Sequence, residues 1–274
     1  MILLVASSKD VASLNIRRSI LDRYPFTKAQ EAFQENPAYT ADINNRRVRL
    51  VTLNAESIHA QNLPSFFAAL DLTVFISRHS SKSGTPTLSV HTPGNLDKAE
   101  LGGLPRKVSV SPAITMRSAL RAMVRLREEM GLEYEVSYEG THHGPSLDVP
   151  TMFVELGSSR EQWNDSKAAE AVACAAMEAV SRFSDNTGKA VLGIGGPHYN
   201  AKFTKIALEN DVAFGHMIPK YAVPNVDEAT LRQCVERTLE AVDHAVLDWK
   251  GIKGEDKQPI VAMLERIGLP YEKI

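Results

Sequence analysis

The chain opens on MILLVAS, a short and wholly apolar run, and KDVASLNIRRSILDRY then sets Val11, Leu14, Ile20 and Leu21 in helical rhythm. A strand that runs straight into a helix predicts an α/β layer fold. RRVRLVTLN (46–54), LDLTVFISRHSS (70–81) and TPTLSVHTPGN (85–95) are the next strands, and Val74, Phe75 and Ile76 form the unbroken run of a strand covered on both faces. SPAITMRSALRAMVRLREEMG (111–131) is punctuated as a helix, with Ser111 as N-cap, Pro112 at the first helical position and Gly131 at its end. YEVSYEG (134–140), TMFVELG (151–157), KAVLGIGGPHY (189–199) and DVAFGHMIPKY (211–221) read as strands. Between and after them, NDSKAAEAVACAAMEAVSRF (164–183) and AKFTKIALEN (201–210) read as helices, as does a tail covering 227–251 and 257–270. The alternation predicts a mixed or mostly parallel sheet between helical layers, in one domain spanning 1–274 with room for a small helical or β appendage.

Composition narrows this little. With 43% hydrophobic residues, 23% charged residues and a net charge of -2, the chain lacks the basic excess of many nucleic-acid binders, so an RNA partner needs a local patch. Cys174 and Cys234 have no CxxC spacing and read as core fillers in a reducing cytoplasm. No run approaches the roughly 20 apolar residues that span a bilayer, and the start lacks a basic n-region, so the expectation is a cytoplasmic protein without membrane contact.

The chemistry lies in the histidines. His79, His91, His142, His143, His198 and His216 each follow or end an apolar strand beside Gly or Pro, where polar residues project from sheet edges into a crevice. His59 and His244 lack that punctuation and read as structural. Adjacent residues of a strand point to opposite faces, so His142 and His143 can share a site only if the strand has ended before Gly144 and Pro145. Imidazole can serve as a base near neutrality or ligate zinc, and Glu139 and Glu155 are the nearest carboxylates to orient it. No HExxH, HxH or CxxC pattern chooses between these roles.

GIGGPHY lacks the third glycine of a dinucleotide fingerprint. Gly195 and Gly196 can instead bring bare N–H groups to an oxyanion, or simply make a tight turn. SRHSSKSGTP, with Ser77, Arg78 and His79, has the composition of a phosphate-cradling loop without its pattern. Arg117, Arg121 and Arg125 fall at i, i+4 and i+8 on one helix face, a stripe suited to an RNA backbone; a solvated helix face gives the same spacing.

Taken together, FISRHSSKSGTPTLSVHTPGN, YEGTHHGPSLDVPTMFVELGSS, GIGGPHY and GHMIPKY resemble the D-aminoacyl-tRNA deacylases of the archaeal and plant type, and the similarity reaches back through ASLNI at 12–16. The resemblance implies a three-layer phosphorylase/hydrolase-like α/β fold and hydrolysis of the ester joining a D-amino acid to the 3′ end of tRNA. It also implies zinc as cofactor and D-aminoacyl-tRNA as partner, in a monomer or homodimer. No position is carried over from the family; for hydrolysis of an activated ester the chemistry of the residues makes His142, His143, His198 and Glu139 the expected catalytic residues. Ser77, Arg78, His79, His91, Thr92, Asn95, Gly195, Gly196, Tyr199 and Lys220 are expected to bind substrate, and His79, His142 and His198 to hold the metal. A metal-dependent peptidase or nucleoside phosphorylase of similar fold, and a tRNA-binding protein without catalysis, are the competing readings.

Overall fold

The computed structural model describes residues 1–183 and 188–274. In chain order the elements are β1 (Ile2–Ser7), α1 (Val11–Arg23), β2 (Thr27–Lys28), β3 (Tyr39–Ile43), β4 (Arg46–Leu53), β5 (Leu72–Arg78), β6 (Thr87–His91), α2 (Ala113–Glu129), β7 (Glu135–Tyr138) and β8 (Thr151–Gly157). They continue with α3 (Arg160–Trp163), α4 (Ser166–Ser181), β9 (Lys189–Ile194), α5 (Ala201–Glu209), β10 (Val212–Ile218), α6 (Glu228–Glu236), β11 (Val242–Leu247), α7 (Gly254–Ile267) and β12 (Tyr271–Lys273). Eight strands form a mixed sheet in the order β2-β3-β4-β1-β5-β8-β6-β7, and four form a parallel sheet in the order β10-β9-β11-β12. The mixed α/β architecture predicted from the strand and helix rhythm is the one observed.

Period-two alternation divides the large sheet between two cores. Ile2, Leu4, Ala6, Val74, Ile76, Leu88, Val90, Val154 and Leu156 pack into one core with residues of α1, α2 and α4. Leu3, Val5, Phe75 and Phe153 point the other way, under Phe33, Leu63 and Phe67 from the connecting segments. By the same parity His91 and Glu155 leave the sheet on the Phe153 face, since β6 pairs antiparallel to β8 with His91 opposite Phe153 and Ser89 opposite Glu155. This reversal modifies the expected crevice at common carboxyl ends. β5 and β8 run parallel, β6 and β7 run against them, and the polar residues gather where the oppositely directed strands meet.

Two local expectations are corrected. The tail is not helical throughout: α6 stops at Glu236, and Val242–Leu247 forms β11 between β9 and β12. Ala245, Val246 and Leu247 are all buried there, so the need of a central parallel strand for an unbroken apolar run overrides a helix-compatible spacing. Ser111 does not cap α2 either. Its hydroxyl accepts from Thr92 Oγ1, Pro112 occupies the cap position, and the free N–H groups of Ala113 and Ile114 donate to the Glu240 carboxylate, 127 and 126 residues away. A distant acidic side chain fills the capping role.

Candidate active site

After β7 the chain leaves the large sheet and stitches it to the small one. Glu139 N–H donates to Val90 O, Gly140 N–H to His198 O and Thr141 N–H to Met217 O. The strand has therefore ended before the two histidines, as Gly144 and Pro145 suggested. His143 takes a left-handed φ of 41°, and the turn brings both imidazoles to one side with ring centroids 4.2 Å apart. Gly144 is required by close approach, because a Cβ there would lie 2.2 Å from Gly103 N.

Five of the six strand-end histidines converge on two buried carboxylates. His198 Nε2 lies 3.0 Å from Glu139 Oε2 and His142 Nε2 lies 3.7 Å from it, while His79 Nδ1 lies 3.2 Å from Glu139 Oε1 and 3.6 Å from Glu155 Oε2. His91 Nε2 is 3.7 Å from Glu155 Oε2, and the His91 ring lies 4.4 Å from that of His142 and 4.9 Å from that of His143. Burial alone would drive both carboxyls up. Hydrogen bonds from His198 and His79 and the charge on His79 outweigh it and hold Glu139 well below the usual carboxylate range; His79 and His91 draw Glu155 down to about 2. In return, burial lowers His79 less than the two carboxylates raise it, to about 10, so His79 is a cation at neutral pH. His91 is also raised, by Glu155 against burial.

His142 and His143 behave oppositely. Burial and the neighbouring imidazoles lower both, His142 well below its ordinary value and His143 to about 4. His142 Nδ1 lies 2.8 Å from Gly140 O and His143 Nδ1 2.7 Å from Gly144 O. A carbonyl only accepts, so in each ring Nδ1 carries the proton and Nε2 offers its lone pair. That pair borders a cleft of about 370 Å³, whose lining also includes Arg78, Glu155, His198 and Tyr199.

Tyr199 Oη lies 2.6 Å from His79 Nε2, so the phenol accepts from the cation and keeps its own proton to donate; burial pushes its pKa up to about 12. Arg78 bonds Glu56 at 3.0 Å and covers the Trp163 ring, and Ser77 bonds Arg78 O. Other expected residues hold the frame instead. The N–H groups of Gly195 and Gly196 donate to Ile218 O and Gly251 O, so neither is open to an oxyanion, and the turn reading of GIGGPHY is the correct one. Thr92 is buried against Ser111, and the Asn95 amide donates to Gly102 O and Leu104 O. Lys220 is exposed, and the neighbouring Tyr221 is the one that reaches the cluster, with Oη 3.1 Å from His198 Nδ1. Tyr221 carried no sequence signal beyond its place beside Lys220. Glu155 did, as the one charge in the buried run TMFVELG.

Arg117, Arg121 and Arg125 share a face of α2 but are tied down. Arg117 is buried and pairs with Asp211, Arg121 donates to Ala207 O and Asn210 O, and Arg125 pairs with Glu129 and Glu178. The expected phosphate-binding stripe is thus an intramolecular network, which leaves few of its donors for RNA.

His216 stands apart from the five. It is fully buried, with Nδ1 3.1 Å from Thr141 Oγ1 and Nε2 3.2 Å from Arg237 O, and burial near the Arg237 guanidinium lowers it to about 4. The unfolded imidazole titrates near 6.5 and takes up its proton first, so this contribution to stability is complete above that pH and is lost as the pH falls toward 4. A loss of about 3 kcal/mol from this group is expected over that window. Urea unfolding measured from pH 7 to 4 should show a shallower decline for His216→Asn than for the parent; identical slopes would contradict the assignment.

Among the described residues, three groups bring ligand atoms within 4.8 Å of one another: His91 with His142 and His143, Glu139 with His142 and His198, and His79 with Glu139 and Glu155. His79, His142 and His198 do not form one of these sets; they meet through Glu139. His91 is fully buried with both ring nitrogens lacking a hydrogen-bond partner, as a donor kept for another atom would be.

Residues 66–272 match the sequence model of a family described as D-aminoacyl-tRNA deacylase. The D-aminoacyl-tRNA deacylase of Thermococcus kodakarensis is 39% identical over 268 residues, covering 96% of both chains, and that of Methanosarcina barkeri is 36% identical over 280 residues, covering 99% of this chain and 89% of its own. A crystal structure of a conserved protein of unknown function superposes with a TM-score of 0.88 at 29% identity, covering 100% of this chain and 95% of the other.

Proposed function

From a chain that belongs to the D-aminoacyl-tRNA deacylase family, we propose a mechanism in which neutral imidazole and fixed charge hydrolyse the ester. The enzyme is a hydrolase acting on the bond between a D-amino acid and tRNA. The observation that carries the mechanism is the pair of unprotonated Nε2 atoms on His142 and His143, each fixed by a bond from Nδ1 to a backbone carbonyl. One of them takes the proton of the attacking water as the new C–O bond forms, and returns it to the ribose oxygen as the ester C–O bond breaks. The Tyr199 phenol, backed by the His79 cation, donates to the carbonyl oxygen as negative charge grows on it. Glu139 orients His198 and His79, and Glu155 supplies the second anion that keeps His79 charged.

Zinc fits this donor set of imidazoles and carboxylates. Of the three ligand groups, Glu139 with His142 and His198 would hold the ion and leave the free Nε2 of His143 as the base, since a ring that binds zinc through Nε2 could not also take the proton. Bound zinc supplies a water acidic enough to attack near neutral pH. No helix among the described residues is long and apolar enough to cross a membrane, and the reading puts the enzyme in the cytoplasm with its tRNA substrate.

Matched D- and L-aminoacyl-tRNAs, offered with and without a chelator, test both points. Release of the D-amino acid in preference to the L, loss of that release with chelator and its return with added zinc are expected. Equal release of both hands would defeat the substrate reading, and full activity in chelator would defeat the metal. Zinc titration followed calorimetrically should show an affinity about 10–100-fold or more weaker in His142→Ala than in the parent.

A further inference from the structure

Two clefts meet at the histidine pair. The first, of about 370 Å³, is the one containing Arg78 and Tyr199; the second, of about 300 Å³, shares Leu101, His142 and His143 with it and is otherwise lined by different residues. An ester likewise has two limbs leaving its carbonyl carbon. We propose that the second cleft receives the amino acid side chain, while the ribose and phosphate of the alcohol limb enter the first. The assignment rests on the deacylase reading above.

The chemistry of the walls differs in the required sense. Ser80 and Tyr199 line the first cleft with hydroxyls of the kind that bind sugar and phosphate oxygens, and the Arg78 guanidinium has N–H donors beyond the two given to Lys9 O and Glu56. In the second, the polar side chains of the floor are already committed: Asn95 donates to two backbone carbonyls, and Thr141 Oγ1 is shared by His216 and the Met217 N–H. What remains for a ligand is Leu96, Leu101, Tyr221 and Ala222. Such a wall takes an aliphatic or aromatic group well and leaves a sugar hydroxyl without partners. The rim carries Asp97 and Glu100 against Lys98, an excess of negative charge that disfavours a phosphodiester.

Ala222 lies on the wall and the exposed Asn225 on the rim, so Ala222→Leu and Asn225→Phe both narrow this cleft while the imidazoles themselves are left unaltered. Asn225→Phe is the variant least able to disturb folding, and melting temperatures check both. In each, kcat/KM for D-tyrosyl-tRNA relative to D-alanyl-tRNA is expected to fall about ten-fold or more. A D-tyrosine methyl ester, which has no nucleoside, should lose as much as D-tyrosyl-tRNA does. A fall by the same factor for both aminoacyl-tRNAs, with the methyl ester unaffected, would put the nucleoside in this cleft and overturn the assignment. So would unchanged kinetics in both variants. Failure of the unaltered enzyme to cleave either D-aminoacyl-tRNA would overturn the deacylase reading itself, a different result.

Discussion

Replacing Glu139 by glutamine is expected to lower kcat by about 10²–10⁴-fold, more than any change at the rim of the cleft. The carboxylate is fully buried and faces His79, His142 and His198 at once. Glutamine keeps its volume and removes its charge, so His79 is left with Glu155 as its single anion, and His198 loses the acceptor that fixes which ring nitrogen carries the proton. Breaking a buried charged network in this way also costs on the order of 3–5 kcal/mol of stability. Single-turnover assays below the melting transition separate the two effects. Near-normal turnover in Glu139→Gln would remove the carboxylate from the mechanism, whatever happened to the melting temperature.

The second large effect is expected at His142 and His143. Each is replaced by alanine in turn, and the one that takes the proton should lose about 10²–10⁴-fold in kcat with the fold intact. The left-handed backbone at 143 matters to the design of the experiment, because asparagine tolerates that conformation better than alanine and provides a second variant of similar bulk. Turnover within a few-fold of the parent in all three variants would mean that neither free Nε2 is the base. Loss at His142 alone, with zinc affinity unchanged, would assign the proton to it and leave His143 as packing for the His91 ring.

Much of this was legible in the chain. The strand ends that carry His79, His91, His142, His143 and His198 are punctuated by Gly and Pro, and the structure unites all five. His216 has the same punctuation yet faces inward, because Met217 and Ile218 continue β10 and the residue before them is enclosed by Thr141 and Arg237. Punctuation marks where a strand ends but not which side of it is solvent. The glycines of GIGGPHY were misleading for a related reason: a glycine is equally useful for exposing an N–H and for burying one in a tight turn, and only the partner decides. Ile218 O and Gly251 O are 23 and 55 residues downstream of the groups they bind, beyond what local spacing records. The arginine stripe failed similarly, since apart from Glu129 of α2 itself its acceptors come from α4, α5 and the turn that follows α5.

Four of the five clustered imidazoles are carried by segments of the eight-stranded sheet, whereas His198 and its companion Tyr221 arrive from the four-stranded one. The backbone bonds from Gly140 to His198 O, from Thr141 to Met217 O and from Asn200 to Tyr138 O, together with the contacts of His198 with Glu139 and of Tyr199 with His79, hold that junction at the reacting centre. Neither half of the polypeptide, expressed by itself, contains a complete proton-handling apparatus. Activity is thus an assay of whether the halves have joined correctly, and recovery of ester cleavage on mixing complementary fragments would report their assembly.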